Sequence, residues 1–155
     1  MSNSINLYRI VKNKHLNHAF DGEGSRLYGG RWNSKGSACV YCASTESLAQ
    51  LEMLVHTQSS ELLASYSIFE LTIENAQVTT LETYPANWQG DPAPSSTANI
   101  GDKWLLDNAT VALKVPSVIV PRESNFLLNP LHADFDTIVG RASNRSLKFD
   151  PRLKD

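Results

Sequence analysis

The chain has 155 residues, of which 41% are hydrophobic, and its 14 basic and 16 acidic residues give a formal net charge of -2. At this length that apolar fraction is enough for one hydrophobic core, so we expect a single domain over residues 1–155, and the near-neutral charge argues against a chain that binds nucleic acid or a membrane surface by itself. No segment approaches the roughly 18 apolar residues of a membrane helix, and the N-terminus lacks the apolar centre of a signal peptide, which predicts a cytoplasmic protein.

Apolar periodicity and glycine content divide the first part of the chain into four predicted elements. In order they are a strand at Leu7–Val11, a glycine-rich loop at Asn17–Gly36, a buried strand at Ala38–Ala43 and a helix from Ser44 or Thr45 to about Gln58. The helix places Leu48, Leu51, Leu54 and Val55 on one apolar stripe. A loop of about 20 residues in a small domain is more often functional than idle.

The second part contains shorter apolar runs that are separated by prolines. The predicted elements are strands at Tyr66–Ile73 and Val78–Leu81, a linker or lid at Tyr84–Asn99, a helix at Ile100–Asn108 capped by Ser96, Thr97 or Asn99, strands at Val111–Val115, Ser117–Val120 and Asn125–Leu128, and an edge strand in the tail from Ile138, Val139 or Leu147–Phe149. Helical and extended runs alternate irregularly. This pattern predicts an α+β fold with a mixed, mainly antiparallel sheet.

The two cysteines, Cys39 and Cys42, have Cys-x-x-Cys spacing within a predicted strand. Residues three apart on a strand point to opposite faces, so the two sulfurs cannot easily reach one metal. A zinc site would have to recruit His15 and His18, because there is no second cysteine pair to complete four ligands. Two cysteines are also too few for the disulfide framework of a secreted protein. We therefore predict two core residues and no metal site.

Two common enzyme classes lack their motifs. The glycines of the loop miss both the dinucleotide fingerprint and the Walker spacing, which argues against a doubly wound nucleotide-binding fold. No Gly-x-Ser-x-Gly elbow is present, and none of the four histidines has a recognisable partner motif, which argues against a serine hydrolase.

Three charged residues carry more information. Glu52 falls at the margin of the helical apolar stripe, where a partly desolvated carboxylate needs donors; the alternative is an i, i+4 contact with His56. Arg9 lies mid-strand, where it either meets an anion or faces solvent as an edge charge. Arg31 follows two glycines that let the backbone approach a ligand, and Trp32 adds a flat apolar surface. Together these residues suggest an anionic ligand that carries hydroxyl groups, such as a nucleotide.

Five motifs, LYRI, GGRWNSKG, VYCAST, LAQLE and PRESNFLLNP, resemble the RES-domain family, which is named after an arginine, a glutamate and a serine. The resemblance extends from about Leu7 to Phe149. The family supplies the toxins of bacterial RES–Xre type II toxin–antitoxin systems. The resemblance implies a fold similar to ADP-ribosyltransferases and diphtheria-type toxins, and cleavage of the nicotinamide–ribose bond of NAD+ by hydrolysis or phosphorolysis. NAD+ is then the substrate, and no prosthetic group is expected.

The resemblance also implies a site and a partner. The implied catalytic residues are Glu52, Arg31 and Ser124, and the implied NAD+-binding residues are Arg9, Arg31, Tyr41, Glu52, Ser124, Tyr8 and Asn125. Glu52 would stabilise the charge that develops on the ribose, the arginines would bind the pyrophosphate, Tyr41 would contact the nicotinamide riboside, and Ser124 would orient the ribose or the glutamate. An Xre-type helix-turn-helix antitoxin would cover the cleft in a higher-order complex. Two alternatives stay open: mono-ADP-ribosylation of a protein, and a nucleotide-binding module without turnover.

Overall fold

The computed structural model describes residues 3–154, and its strands form one seven-stranded sheet. The strands are β1 (Ser4–Lys12), β2 (Val40–Ala43), β3 (Tyr66–Glu74), β4 (Val78–Thr80), β5 (Ala112–Pro116), β6 (Ser124–Leu128) and β7 (Ser143–Leu147). Their order across the sheet is β4-β5-β6-β2-β1-β3-β7. Only β4 and β5 run parallel among these pairs. The predicted mixed, mainly antiparallel α+β fold is confirmed.

Four α-helices occur within residues 3–154. They are α1 (Glu23–Tyr28), α2 (Glu46–Leu54), α3 (Ser95–Asp107) and α4 (Phe135–Gly140). Thr45 caps α2, since its hydroxyl accepts the backbone N–H of Leu48 at 3.0 Å, as predicted from its residue type. No helix in this part of the chain is long and apolar enough to cross a membrane.

Apolar side chains cover both faces of the sheet. Cys42 packs with Leu7 on one face, whereas Cys39 packs with Trp32 in a separate cluster that includes Leu127 from the other face. Both cysteines are buried and free, which confirms the prediction of two core residues. Burial raises the pKa of each thiol to about 12.

Helix α2 is shorter than predicted and has a narrower apolar stripe. It ends at Leu54, and Gln58, the predicted end, instead caps the following 3-10 turn, Ser59–Leu63. Leu51 and Val55 are 38% and 56% exposed, so the predicted stripe is wrong at these two positions. The buried residues of α2 are Leu48, Ala49 and Leu54.

Two predicted loops contain helix. Helix α1 lies inside the glycine-rich segment; it follows Gly22, whose φ of 69° suits glycine, and it has no buried residue that would produce an apolar period. Helix α3 begins at Ser95, five residues before the predicted start, because Pro94 is its N-cap. The predicted caps Ser96, Thr97 and Asn99 therefore lie within the helix.

The C-terminal part differs from the prediction in two places. Ser117–Val120 is a turn rather than a strand, because the Ser117 hydroxyl accepts the backbone N–H groups of Ile119 and Val120 at 3.1 Å each. Ile138 and Val139 belong to helix α4, and the edge strand of the tail is β7, which pairs with β3.

Candidate active site

One face of the sheet brings together residues from three neighbouring strands. Tyr8 of β1 lies opposite Ala43 of β2, which in turn lies opposite Asn125 of β6. Tyr41 shares this face because it precedes Ala43 by two residues. Helix α2 packs on the same face through Leu48 and Ala49, so Glu52 comes close to Asn125.

The Glu52 carboxylate is held through a single oxygen. Its Oε1 accepts hydrogen bonds from Asn125 Nδ2 at 2.7 Å and from Ser117 Oγ at 2.8 Å. Within residues 3–154, Oε2 has no hydrogen-bond partner, and no hydrogen bond or ion pair joins Glu52 to His56. The site therefore holds an oriented, half-buried carboxylate with one oxygen available to a ligand.

Ser117 is oriented by its own surroundings. The residue is 0% exposed, and its oxygen accepts two backbone N–H groups, from Ile119 and Val120. A serine hydroxyl has one proton and two acceptor positions, so with both acceptor positions filled the proton is directed to Glu52. The sequence pattern does not predict this role, because it assigns Ser117 to a strand. The available signal was a polar residue directly after Pro116 in an apolar run.

Ser124 is near this group, but its side chain lies elsewhere. Strand alternation turns it to the face opposite Asn125, and its carbonyl oxygen accepts the backbone N–H of Ser44 at 3.1 Å. The structure thus brings Ser117 and Asn125, and not the Ser124 hydroxyl, to Glu52.

Arg31 is anchored at one nitrogen. Its Nη1 donates to the carbonyl oxygens of Trp88 at 2.8 Å and Gly90 at 2.7 Å. Among the described residues, its Nε and Nη2 have no acceptor and no carboxylate forms an ion pair with it. These free N–H groups are suited to phosphate oxygens.

Arg9 fills an opening in the sheet. Strands β1 and β2 pair at one position, where Tyr8 lies opposite Ala43. Two residues before Ala43, the carbonyl of Tyr41 accepts a hydrogen bond from Arg9 Nη1 at 2.9 Å, in the place where a backbone N–H of β1 would bond in a longer pairing. Arg9 Nε donates to Ala19 O at 2.6 Å. Alternation places this side chain on the sheet face opposite Tyr8. Burial lowers the pKa of the guanidinium, and no carboxylate within residues 3–154 pairs with it. Arg9 is therefore a half-buried cation that backbone carbonyl groups and distant charges stabilise.

Tyr41 connects the surroundings of the two arginines. Its carbonyl binds Arg9, while its hydroxyl donates to Asn33 Oδ1 at 2.6 Å and accepts the Trp32 N–H at 3.2 Å. Burial raises the pKa of this phenol. Since the hydroxyl is engaged, the ring is the part of Tyr41 that remains for a ligand.

Tyr8 is bonded away from Glu52. Its hydroxyl donates to Glu70 Oε1 at 3.0 Å, and Arg145 lies 3.8 Å from the other oxygen of Glu70. Burial and this carboxylate raise the Tyr8 pKa.

Across residues 3–154, no group of three or more His, Cys, Asp or Glu side chains is arranged to hold a metal ion.

The fold of this chain also occurs in a solved structure. The fold is shared with a chain in the crystal structure of the M. tuberculosis MbcT–MbcA toxin–antitoxin complex, with a TM-score of 0.72 over 97% of this chain and 86% of that chain, at 19% identity. This likeness places the chain in a class with an α+β fold, here built on a seven-stranded, mainly antiparallel sheet.

Sequence comparison identifies the family. The RES domain pattern matches residues 6–150. The chain is 46% identical to Toxin Res of Yersinia enterocolitica over 96% of this chain and 99% of the relative. It is 37% identical to the Prs ADP-ribosylating toxin of Sphingobium sp. over 97% of each. The chain therefore belongs to the RES domain family and is a toxin of that family, which confirms the resemblance in its five motifs.

Proposed function

We propose that this RES toxin cleaves the nicotinamide–ribose bond of NAD+, its substrate, without a prosthetic group. The observation that carries the proposal is the Glu52 carboxylate, which is oriented through Oε1 by Ser117 and Asn125 and keeps Oε2 available. The two arginines without carboxylate partners support an anionic substrate, because an arginine fork matches phosphate oxygens.

The proposed reaction passes through a state with positive charge on the ribose. The bond between C1′ and the nicotinamide nitrogen breaks, its electron pair leaves with the neutral nicotinamide, and an oxocarbenium-like sugar remains. Glu52 stabilises that charge and accepts a hydrogen bond from a ribose hydroxyl through Oε2. Water or phosphate then bonds to C1′; when water is the acceptor, it releases one proton. The leaving nicotinamide needs no strong general acid because it departs uncharged.

Arg31 and Arg9 are proposed to bind the pyrophosphate, and Tyr41 to pack against the nicotinamide riboside. The free Nε and Nη2 of Arg31 can each donate to a phosphate oxygen. Arg9 contributes positive charge from the sheet opening beside the Tyr41 carbonyl. Tyr8 and Asn125 lie in the same row of the sheet and are proposed as neighbours of the substrate.

A second candidate acceptor is a protein side chain. The relative from Sphingobium is named an ADP-ribosylating toxin, and the same cleavage at C1′ would then transfer ADP-ribose to a target protein. A protein that binds NAD+ without turnover is the remaining alternative. It is distinguished by calorimetric binding without nicotinamide release.

We also propose that an Xre-type antitoxin with a helix-turn-helix domain covers this site in a higher-order complex in the bacterial cytoplasm. The support is the family and the shared fold with a chain of a toxin–antitoxin complex. Expression of the chain alone should arrest bacterial growth, and the neighbouring antitoxin should relieve the arrest. Unaffected growth with abundant folded protein would contradict the toxin role.

The test of the activity is a time course of NAD+ loss by the purified chain, with and without phosphate, and with identification of the products. Glu52→Gln and Arg31→Ala should nearly abolish NAD+ loss, whereas Glu82→Gln, the same change at an exposed position of a loop, should leave it intact. Labelled NAD+ detects transfer to a protein. Full activity in both site variants would refute the proposal.

A further inference from the structure

The proline-rich segment before α3, residues 84–94, and the first turn of that helix hold Arg31 at its head group and at its backbone. The guanidinium Nη1 is bound by the carbonyls of Trp88 and Gly90. The backbone carbonyl of Arg31 accepts the Thr97 hydroxyl at 2.6 Å, and Thr97 is 0% exposed. One continuous stretch of chain therefore contacts the same arginine at its head group and at its backbone.

Helix α3 also fixes the residues that follow Arg31. A Cβ atom at Gly101 would lie 1.6 Å from the carbonyl oxygen of Trp32, so the helix backbone and the loop are in direct contact. Asp102 Oδ1 accepts the backbone N–H of Ser34 at 2.9 Å. Thr97, Gly101 and Asp102 lie on one side of α3, and that side holds residues 31–34.

Movement of the proline-rich segment would be costly. Trp88 is buried in the cluster that contains Trp32 and Trp104. If the segment opened, Arg31 would lose both of its acceptors and Trp88 would leave this cluster. These contacts make the segment a support for Arg31.

We propose that Thr97 is a positioning residue, which holds Arg31 so that its Nε and Nη2 are directed at the pyrophosphate of the substrate; this inference rests on the proposed function of Arg31. A free arginine loses considerable rotamer freedom when it binds an anion. An arginine that is already held in the binding geometry avoids much of this loss, and affinity rises accordingly.

The experiment measures binding of ADP-ribose by calorimetry, together with kcat and KM for NAD+, for the wild-type chain and three variants. Thr97→Val removes the hydroxyl and should raise the Kd of ADP-ribose and the KM for NAD+ about tenfold, with kcat changing much less. Thr97→Ser keeps the hydroxyl, so its Kd for ADP-ribose and its KM for NAD+ should lie within about threefold of the wild-type values. Thr110→Val is the matched control, because Thr110 accepts the Trp104 Nε1–H at the far end of α3 and does not touch Arg31.

The outcomes separate this inference from the proposed function. If the wild-type chain uses NAD+ but Thr97→Val binds ADP-ribose as tightly as Thr110→Val does, the positioning role is refuted and the proposed function stands. If the wild-type chain neither binds nor consumes NAD+, both are refuted. Should Thr97→Val not fold, Thr97→Ala replaces it, since it also lacks the hydroxyl that bonds the Arg31 carbonyl, and Thr110→Ala becomes its control. A rise of about tenfold in Kd then supports the inference, and wild-type affinity refutes it.

Discussion

Ser117 offers the sharpest test of the site geometry. Ser117→Ala removes one of the two hydrogen bonds to Glu52 Oε1 and leaves the backbone N–H groups of Ile119 and Val120 without their acceptor. A hydrogen bond to a charged group contributes about 1.5–3 kcal/mol, which corresponds to a loss of roughly 10- to 150-fold in the rate of NAD+ cleavage. Because Ile119 is exposed and Val120 half-buried, water can replace part of the lost acceptor, and the free energy of unfolding should fall by about 0.5–1.5 kcal/mol.

The matched comparison is Ser124→Ala, the same change on the opposite face of the neighbouring strand. Steady-state rates of nicotinamide release and urea unfolding should be measured for both variants, at a temperature where both are folded. We expect the larger loss of kcat in Ser117→Ala, because only that hydroxyl bonds Glu52. A larger loss in Ser124→Ala would refute the assignment of Ser117 as the serine that orients the carboxylate.

Three further predictions concern stability. Lys154→Ala removes the hydrogen bonds from Nζ to the carbonyls of Leu54 and Thr57 at the end of α2. The free energy of unfolding, measured in urea, should fall by about 1 kcal/mol. An unchanged urea concentration at the midpoint of unfolding would contradict this role. The folded pKa of about 12 for Cys39 and Cys42 exceeds the ordinary value of 9.0. Their contribution to stability is therefore fully present below pH 9 and should decline as the pH rises from 9 to 12, which unfolding measured across this pH range checks. Thiol labelling of the native chain should be slow, and rapid native labelling at about pH 8 would contradict the prediction. Gly30→Ala places a Cβ 2.7 Å from the Tyr41 hydroxyl and should destabilise the chain by about 1–3 kcal/mol. Gly24→Ala, in open space within α1, should be neutral or slightly stabilising. Thermal melting of both variants measures these effects, and equal effects would refute the packing argument.

The elements that the sequence predicted well are those whose signal is local. Strand β3 was predicted from its alternating pattern, and the N-terminus of α2 from the hydroxyl of Thr45 before an apolar run. Helix α1 was missed because a six-residue helix on the surface buries nothing and therefore has no apolar period. The start of α3 was misplaced because its N-cap is a proline, which carries no capping side chain.

The site residues show the same division. Residue type and position marked Glu52, Arg9 and Arg31 as charges that need partners. Their actual partners are the backbone carbonyls of residues 19, 41, 88 and 90 and the side chains of Ser117 and Asn125. Every residue type has a carbonyl group, so no sequence pattern reveals which one will accept from an arginine.

By itself, the sequence determined the α+β class, the mainly antiparallel sheet and the family, and it singled out the three charged residues of the proposed site, because each depends on local periodicity or on motifs that are contiguous in the chain. Only the tertiary structure decided that Ser117, rather than Ser124, meets Glu52, and that the proline-rich segment supports Arg31. Glu52 and Ser117 are 65 positions apart in the sequence, and the hydrogen bond between them joins α2 to the residue that follows β5. Such contacts follow from strand register and from the face to which each side chain turns. A shift of one residue in the register of a strand would turn its side chains to the other face and so change which serine meets Glu52.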